Sequence, residues 1–347
     1  MKCGNVIRDG YWDLVKGLCV MFVFSIHFIG DNSGDFFVYL IRQFSSMSVF
    51  VFIALAGYFT PTFDVLQSAP LKYVVKRVVR LTIPYLFWTI VFVVSLKNFD
   101  LSSWYAFFRG LLWRDLCLGY GVIVGYYAIV MLQLSILCPF LVKCSVFAPK
   151  RLLFISFVIS VLTSFVATAA SSKWVSVGIQ APVPFPGILF TMWIYPYSMG
   201  IIVKSYNLGL KLFYLRKQLF VSVVLLFVCV IIEDHLGKML GIKSQAQFNL
   251  MGLLCATALI SIIFAYHGRL PRIKMLETIG RGSYFIYLTH FRLMLYIFGF
   301  GAITSMDCKV QTLKYLSGVI IFMVFYYVII IISECSLNKR VRSVIGM

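Results

Sequence analysis

Ten runs of apolar residues, separated by short polar segments, follow one another along the 347-residue chain. They cover residues 15–29, 45–60, 81–96, 121–142, 152–170, 188–203, 219–232, 249–266, 283–300 and 315–333. A helix of about 20 apolar residues crosses the hydrocarbon core of a membrane, and a shorter run does so if its ends extend into the interface. The pattern predicts an all-α polytopic membrane protein with about ten transmembrane helices, in which residues 1–347 form a single integral membrane domain.

The basic residues predict how this chain is oriented. If the N-terminus is inside, the inner segments hold 21 of the 31 Lys and Arg residues and the outer segments hold nine. Lys and Arg on inner loops fix the orientation of a membrane protein, so the bias predicts that the N- and C-termini are both cytoplasmic. It also accounts for most of the net charge of +19, and we therefore expect no nucleic acid partner.

The nine cysteines do not indicate a metal site. They form no CxxC pair and no Cys/His cluster with the spacing of metal ligands. Most of them lie inside apolar runs, where cysteine behaves as a small hydrophobic residue. We expect neither a bound metal nor a disulfide framework.

One histidine lies deep inside the first apolar run. His27 follows Lys16 by eleven residues, which places it about 16 Å along a helix and near the middle of a hydrocarbon core about 30 Å thick. An ionisable residue at that depth is a functional hypothesis, because its burial is costly without a partner or a cavity. His27 is either a hydrogen-bonding partner of a neighbouring helix or a general base, since neutral imidazole is a competent base near neutral pH.

A second histidine is predicted at similar depth in the ninth run. His290 follows Arg281 by nine residues, or about 14 Å of helix. Its alternatives are a packing or gating hydrogen bond and a part in catalysis.

Two arginines share one helix face at an inner segment. Arg77 and Arg80 are three residues apart and are therefore neighbours on a helix. Clustered guanidinium groups suit phosphate, which they bind through paired hydrogen bonds. The alternative is that these charges only fix topology and attract anionic lipids.

The motifs together resemble the membrane-bound acyltransferase-3 family, which includes bacterial O-acetyltransferases of surface polysaccharides. Lys16 and His27 resemble the basic residue, ten residues and histidine of that family, and Asp13 precedes them as in its opening motif. The second run, up to Gly57, is similar to the family's phenylalanine-rich segment, although Ala56 replaces the usual serine.

Three further segments extend the resemblance over nearly the whole chain. Arg77-x-x-Arg80 followed by Pro84-Tyr85 is similar to the basic motif of a cytoplasmic loop in the family. Tyr127 stands where the family often has an aromatic pair, and the segment that ends at His290 is similar to its Gly-x-x-Ser-Tyr-x-x-Tyr-Leu-x-His motif.

The resemblance implies an enzyme that transfers an acyl group, usually acetyl, to a hydroxyl of a lipid-linked or exported glycan. The donor would be acyl-CoA, most often acetyl-CoA, with no permanently bound cofactor. The protein would lie among the lipids of the bacterial inner (plasma) membrane. Whether the acyl group moves directly or through an acyl-enzyme stays open. A transporter or flippase for polysaccharide precursors is the rival interpretation, because buried His and Arg fit it too.

The resemblance also implies roles for particular residues. It makes His27 the catalytic residue. It places Lys16, Arg77 and Arg80 at the donor. The residues expected to line the site are Asp13, Tyr85, Tyr127 and His290.

Overall fold

The structure is a computed structural model, and it describes residues 9–28, 36–95, 108–122, 125–176, 187–240, 249–298 and 308–347. Within these residues every regular element is a helix. The α-helices in chain order are α1 (Gly10–Phe28), α2 (Phe36–Ser45), α3 (Ser48–Tyr58), α4 (Phe63–Ser68), α5 (Pro70–Ser95), α6 (Tyr126–Phe147), α7 (Pro149–Ser176), α8 (Phe190–Ser205), α9 (Gly209–Tyr214), α10 (Arg216–Met239), α11 (Leu250–Ala265), α12 (Lys274–Arg281), α13 (Ser283–Phe298), α14 (Cys308–Ser336) and α15 (Lys339–Ile345). A π-helix, Phe108–Cys117, lies between α5 and α6.

The all-α polytopic architecture is confirmed, whereas the count of ten spans is not. Seven segments in the described part of the chain are long and apolar enough to cross a membrane: Gly10–Phe28, Phe36–Tyr58, Pro70–Ser95, Tyr126–Phe147, Pro149–Ala169, Arg216–Met239 and Tyr315–Ser336. The other three predicted runs coincide with α8, α11 and α13, which have 16 residues each. A helix of that length is about 24 Å long, which is less than the hydrocarbon core.

The second span begins earlier than the apolar pattern predicts. It combines α2 and α3 across a turn at Ser46 and Met47 and so starts at Phe36, not at residue 45. The Ser46 hydroxyl donates to the carbonyl of Gln43 at 2.6 Å. Side-chain bonds of this kind compete with the helical ladder, which explains the break between the two helices.

The fourth span begins later than predicted, because glycines form a tight loop before it. Gly119 has φ +81°, which favours glycine, and α6 starts only at Tyr126. A Cβ on Gly125 would lie 2.6 Å from the carbonyl oxygen of Gly119. Gly119 and Gly125 therefore contact each other directly before α6.

Two helix pairs do pack backbone to backbone through glycine. A Cβ on Gly200 of α8 would lie 1.9 Å from the carbonyl oxygen of Ala54 in α3. A Cβ on Gly280 of α12 would lie 1.8 Å from that of Asp13 in α1, and one on Gly17 would lie 2.1 Å from that of Leu276. Small residues permit this close approach between helices in a membrane. α1 is thereby fixed against α12, directly before α13 begins.

Candidate active site

A cavity of about 160 Å³ lies between α1, α3, α6 and α13. α1 contributes His27 and two aliphatic side chains to its wall. α3 contributes Val49 and Phe52, and the first two residues of α6, Tyr126 and Tyr127, form the facing side. The cavity is therefore mostly apolar and aromatic, as ligand pockets usually are.

One face of α13 forms the rest of the wall. Ser283, Tyr284, Tyr287 and His290 all line the cavity. Ser283, Tyr287 and His290 follow the spacing i, i+4, i+7, which places them on one side of a helix. They extend along about 10 Å of the helix axis. Of these four residues only His290 is predicted from the sequence above, although its spacing from Ser283 and Tyr287 would also have identified those two.

The structure brings the two predicted histidines together. The ring centroids of His27 and His290 are 5.2 Å apart, and the rings are inclined at 45°. His27 is partly buried, whereas His290 is fully buried. The ring of Phe291 meets His27 edge-on at 4.7 Å. Two imidazoles thus lie side by side among aromatic rings at the cavity wall.

Hydrogen bonding assigns the tautomer of His290. Its Nδ1 lies 2.9 Å from the carbonyl oxygen of Tyr287 and 3.0 Å from that of Ile286. Carbonyl oxygens only accept, so Nδ1 must carry the proton. Nε2 then keeps a lone pair, and it is buried with no hydrogen-bond partner within the described residues. A buried acceptor without a partner is costly, which marks Nε2 as a group that a ligand or another residue can engage.

Tyrosine hydroxyls tie α13 to its neighbours around the cavity. The Tyr127 N–H donates to the Tyr287 hydroxyl at 3.1 Å, and the two rings lie 4.8 Å apart. The Tyr284 hydroxyl donates to the carbonyl of Leu81 in α5 at 2.7 Å. Tyr127 is among the residues that line the cavity.

Tyr85 lies behind the site. It is buried, and it is not among the residues that line the cavity. Its hydroxyl donates to the carbonyl of Leu116 at 2.6 Å and so holds the end of the π-helix. Arg292, which the sequence analysis did not use, donates to the carbonyls of Tyr120 and Gly121 at 3.3 Å. These residues position the loop that leads into Tyr126.

Asp13 and Lys16 form an ion pair near the other end of α1. Lys16 Nζ lies 2.6 Å from Asp13 Oδ1 and 5.8 Å from the centre of the Phe59 ring. Eleven residues, or about 16 Å of helix, separate Lys16 from His27. The structure thus does not place Asp13 or Lys16 at the cavity wall that holds the histidines.

Two further ion pairs surround this end of α1. Arg272 binds Glu277 of α12 through two hydrogen bonds of 2.8 Å, and these bonds lower the pKa of the Glu277 carboxyl. Arg281 binds Glu334 of α14 through two bonds of 2.9 Å, which raise the pKa of the Arg281 guanidinium. The end of the bundle where α12 meets α1 is therefore highly charged.

Arg77 and Arg80 have different surroundings, although they share a helix face. Arg77 points inward, donates to the Ala56 carbonyl at 3.1 Å and also donates to the Tyr73 hydroxyl. Ala56 lies in the last turn of α3, where carbonyls lack helical partners, so Arg77 caps that helix. Arg80 is exposed and has no hydrogen bond or ion pair within the described residues.

These features define a class of protein: a polytopic helical membrane protein that encloses a cavity with two neighbouring imidazoles. An imidazole that lines such a cavity can act as a base or a nucleophile. The acyltransferase-3 family model, described as an acyltransferase domain, matches residues 9–335. The chain therefore belongs to the acyltransferase-3 family and is a multi-pass membrane acyltransferase, as the resemblance implied. No curated protein and no solved structure matches it.

Proposed function

We propose that this acyltransferase moves an acyl group, acetyl by preference, from acyl-CoA to a hydroxyl of a lipid-linked or exported glycan at the bacterial inner membrane. His27 is its catalytic residue. One observation carries the proposal: in a chain of this family, His27 lines a cavity beside a second imidazole whose Nε2 has no hydrogen-bond partner among the described residues.

In direct transfer, His27 acts as a general base. Its unprotonated ring nitrogen takes the proton of the acceptor hydroxyl while the oxygen attacks the thioester carbonyl carbon. The C–O bond forms, the C–S bond breaks, and the proton passes from His27 to the departing CoA thiolate. The products are the acylated sugar and free CoA.

In the alternative route, His27 is a nucleophile. Its ring nitrogen attacks the thioester carbonyl, CoA leaves as the thiol with the imidazole proton, and an acyl-imidazole remains. The acceptor hydroxyl then displaces the imidazole and returns a proton to it. Both routes need a defined tautomer of His27, and both end with the same products.

On this proposal His290 is a positioning residue that fixes the tautomer of His27 through a hydrogen bond. Its Nδ1–H is held by two backbone carbonyls, so its Nε2 can only accept a hydrogen bond. The ring centroids of the two imidazoles are 5.2 Å apart, and on this proposal an N–H of His27 donates to His290 Nε2 during the reaction. The other nitrogen of His27 then keeps its lone pair for the substrate, as the orienting partner does in other catalytic histidine sites.

The basic residues predicted at the donor site have different surroundings. Arg80 is exposed and suits a donor phosphate, and Lys16, which pairs with Asp13 at the charged end of α1, also contributes to donor binding on this proposal. The donor role predicted for Arg77 stays a prediction, since its guanidinium also caps α3.

The test is release of CoA by the purified protein in nanodiscs. Given acetyl-CoA and lipid-linked glycans from cells, the wild type should release thiol, and His27→Ala should not. Release without acceptor, limited to the amount of enzyme, indicates the acyl-imidazole route, whereas a requirement for acceptor indicates direct transfer.

His235→Ala is the matched control, because His235 is exposed on α10 away from the cavity. Thiol release that does not depend on His27 would refute its assignment. No release with any acyl-CoA would favour the transporter.

A further inference from the structure

The last helix, α15, lies at the charged end of the bundle. The paired hydrogen bonds between Arg281 and Glu334 hold the end of α14 beside the start of α13. α14 ends at Ser336, and α15 begins at Lys339. α15 therefore begins close to the start of α13, and the first residues of α13 line the cavity.

The end of α15 contacts the cavity wall. The indole N–H of Trp88 in α5 donates to the carbonyl of Ile345 at 3.0 Å. Gly346 packs so closely that a Cβ on it would lie 3.3 Å from the side chains of Pro84 and Tyr284. Tyr284 itself lines the cavity, so α5, α13 and α15 meet at this residue.

Four cations lie on the two helices that meet here. α15 carries Lys339, Arg340 and Arg342, and α5 carries Arg80 one turn before Pro84. Within the described part of the chain none of the four forms an ion pair. Glu334, the acidic residue on the adjoining turn of α14, is already bound to Arg281. The cluster thus keeps its positive charge.

Arg342 is the one of these side chains that points inward. Its Nε–H is buried and has no hydrogen-bond partner among the described residues. A buried donor without a partner is unfavourable, and an anion removes that cost. Arg342 lies one turn before Gly346, as Arg80 lies one turn before Pro84. A Cβ built on Gly346 would lie 3.3 Å from Pro84, so Arg342 and Arg80 each lie about one turn from the point where α15 meets α5.

We propose that α15 and Arg80 form the binding site for the phosphate groups of the acyl-CoA donor, with Arg342 as the central contact. This rests on the proposed function, and it extends the donor site to a helix that the sequence analysis did not single out. Guanidinium groups bind phosphate through paired hydrogen bonds. From this site the pantetheine arm passes Tyr284 and Ser283 and brings the thioester toward the histidines, along about 10 Å of α13.

The test compares two donors that differ in phosphate. Acetyl-CoA carries phosphate groups, and acetyl-pantetheine carries none. In nanodiscs of neutral lipid, Arg340→Gln/Arg342→Gln should raise the KM for acetyl-CoA about tenfold or more, since each charge-assisted bond is worth that much. The KM for acetyl-pantetheine should not change. Lys150→Gln/Arg151→Gln, two exposed cations at the start of α7, should leave both values at those of the wild type.

Three results would overturn the site. The first is an equal change, or none, in the KM for both donors. The second is a change in KM that appears only in nanodiscs with anionic lipid and grows with the anionic lipid content, which would make α15 a lipid-binding helix. The third is unchanged affinity of Arg342→Gln for CoA in calorimetry, with Arg342→Lys as the conservative variant that should recover part of it. Calorimetry also separates the two proposals. If the wild type binds CoA through Arg342 but releases no thiol, the phosphate site is supported and the proposed acyl-transfer reaction is refuted.

Discussion

The two ends of α1 have opposite surroundings. At its start, Asp13 and Lys16 are paired at 2.6 Å, and the pairs of Arg272 with Glu277 and of Arg281 with Glu334 lie on the adjacent helices. At its other end, His27 lies among aromatic rings beside His290, and none of the described residues that line the cavity is acidic. About 16 Å of one helix separates the two.

If the donor is acyl-CoA, as proposed, this difference would let one membrane domain bind a charged donor at one end of α1 and carry out acyl transfer at the other. A phosphate-bearing donor is best bound where cations can keep part of their hydration, because desolvating an ion costs several kcal/mol. A base that must take a proton from a hydroxyl has to be neutral beforehand, which burial away from acids favours. Under the proposed function, donor binding and acyl transfer would therefore take place at opposite ends of α1.

The largest expected effect is at the histidine end. His27→Ala should lower kcat by about 10²–10⁴-fold, the usual contribution of a general base, with little change in KM. Lys16→Gln should raise the KM for acetyl-CoA and leave kcat within a few fold, because Lys16 is distant from the reacting atoms. Steady-state kinetics with purified variants measures both values. If both variants changed kcat and KM in the same way, the two ends of α1 would not have the separate roles proposed here.

His290 should have the next largest effect. His290→Phe should lower kcat about 10- to 100-fold, which is the cost of losing an orienting partner. His290→Gln should recover most of that loss, because the glutamine oxygen can accept a hydrogen bond where Nε2 did but cannot titrate. The pH profile of kcat in His290→Gln should keep the shape of the wild type. A glutamine variant as inactive as the phenylalanine variant would show that His290 itself transfers protons.

A change at the contact between α1 and α12 should affect stability. In Gly280→Ala the new methyl group overlaps the Asp13 carbonyl, and overpacking of this kind costs about 1–3 kcal/mol. A thermal-shift assay in detergent should show a lower Tm. Gly110→Ala is the control, since a Cβ there meets nothing within 4 Å. Equal Tm values for the two variants would contradict the close contact.

Arg77 allows the donor role and the capping role to be told apart. If Arg77 mainly caps α3, Arg77→Ala should lower the free energy of unfolding by about 1 kcal/mol for each hydrogen bond lost, and the Tm should fall accordingly. The KM for acetyl-CoA should not change. Arg80→Ala should do the reverse. A raised KM with an unchanged Tm in Arg77→Ala would instead establish the donor role predicted from the sequence.

The smallest effect concerns acid stability at the charged end. Arg272 lowers the pKa of Glu277 below its ordinary 4.5, so the folded state holds that proton less tightly than the unfolded state. The pair's contribution is present above pH 4.5 and is lost as the pH falls through the lowered pKa. The Tm of Glu277→Gln should therefore fall less steeply below pH 4.5 than that of the wild type. Arg272→Gln should remove the difference, and parallel Tm curves would argue against the pair.

Much of this arrangement could be predicted from the sequence, because it depends on helix geometry alone. Counting residues from Lys16 and Arg281 placed both histidines at one depth, since the rise of a helix per residue is fixed. The start of α6 could not be predicted, because it depends on a loop that needs the left-handed conformation of Gly119. The direction of the Arg77 side chain could not be predicted either, because it depends on the end of α3 twenty residues earlier in the chain.

The tautomer of His290 has a consequence for how the chain enters a membrane. Many catalytic histidines are oriented by a carboxylate, and an aspartate at the centre of a helix adds about 2.5–3.5 kcal/mol to the cost of insertion. Here the orienting groups are carbonyls of the same helix, at Ile286 and Tyr287. They form with the helix itself and carry no charge. On the proposed function, His290 is therefore oriented without an acidic residue in α13, which keeps the cost of placing this apolar helix in the bilayer low.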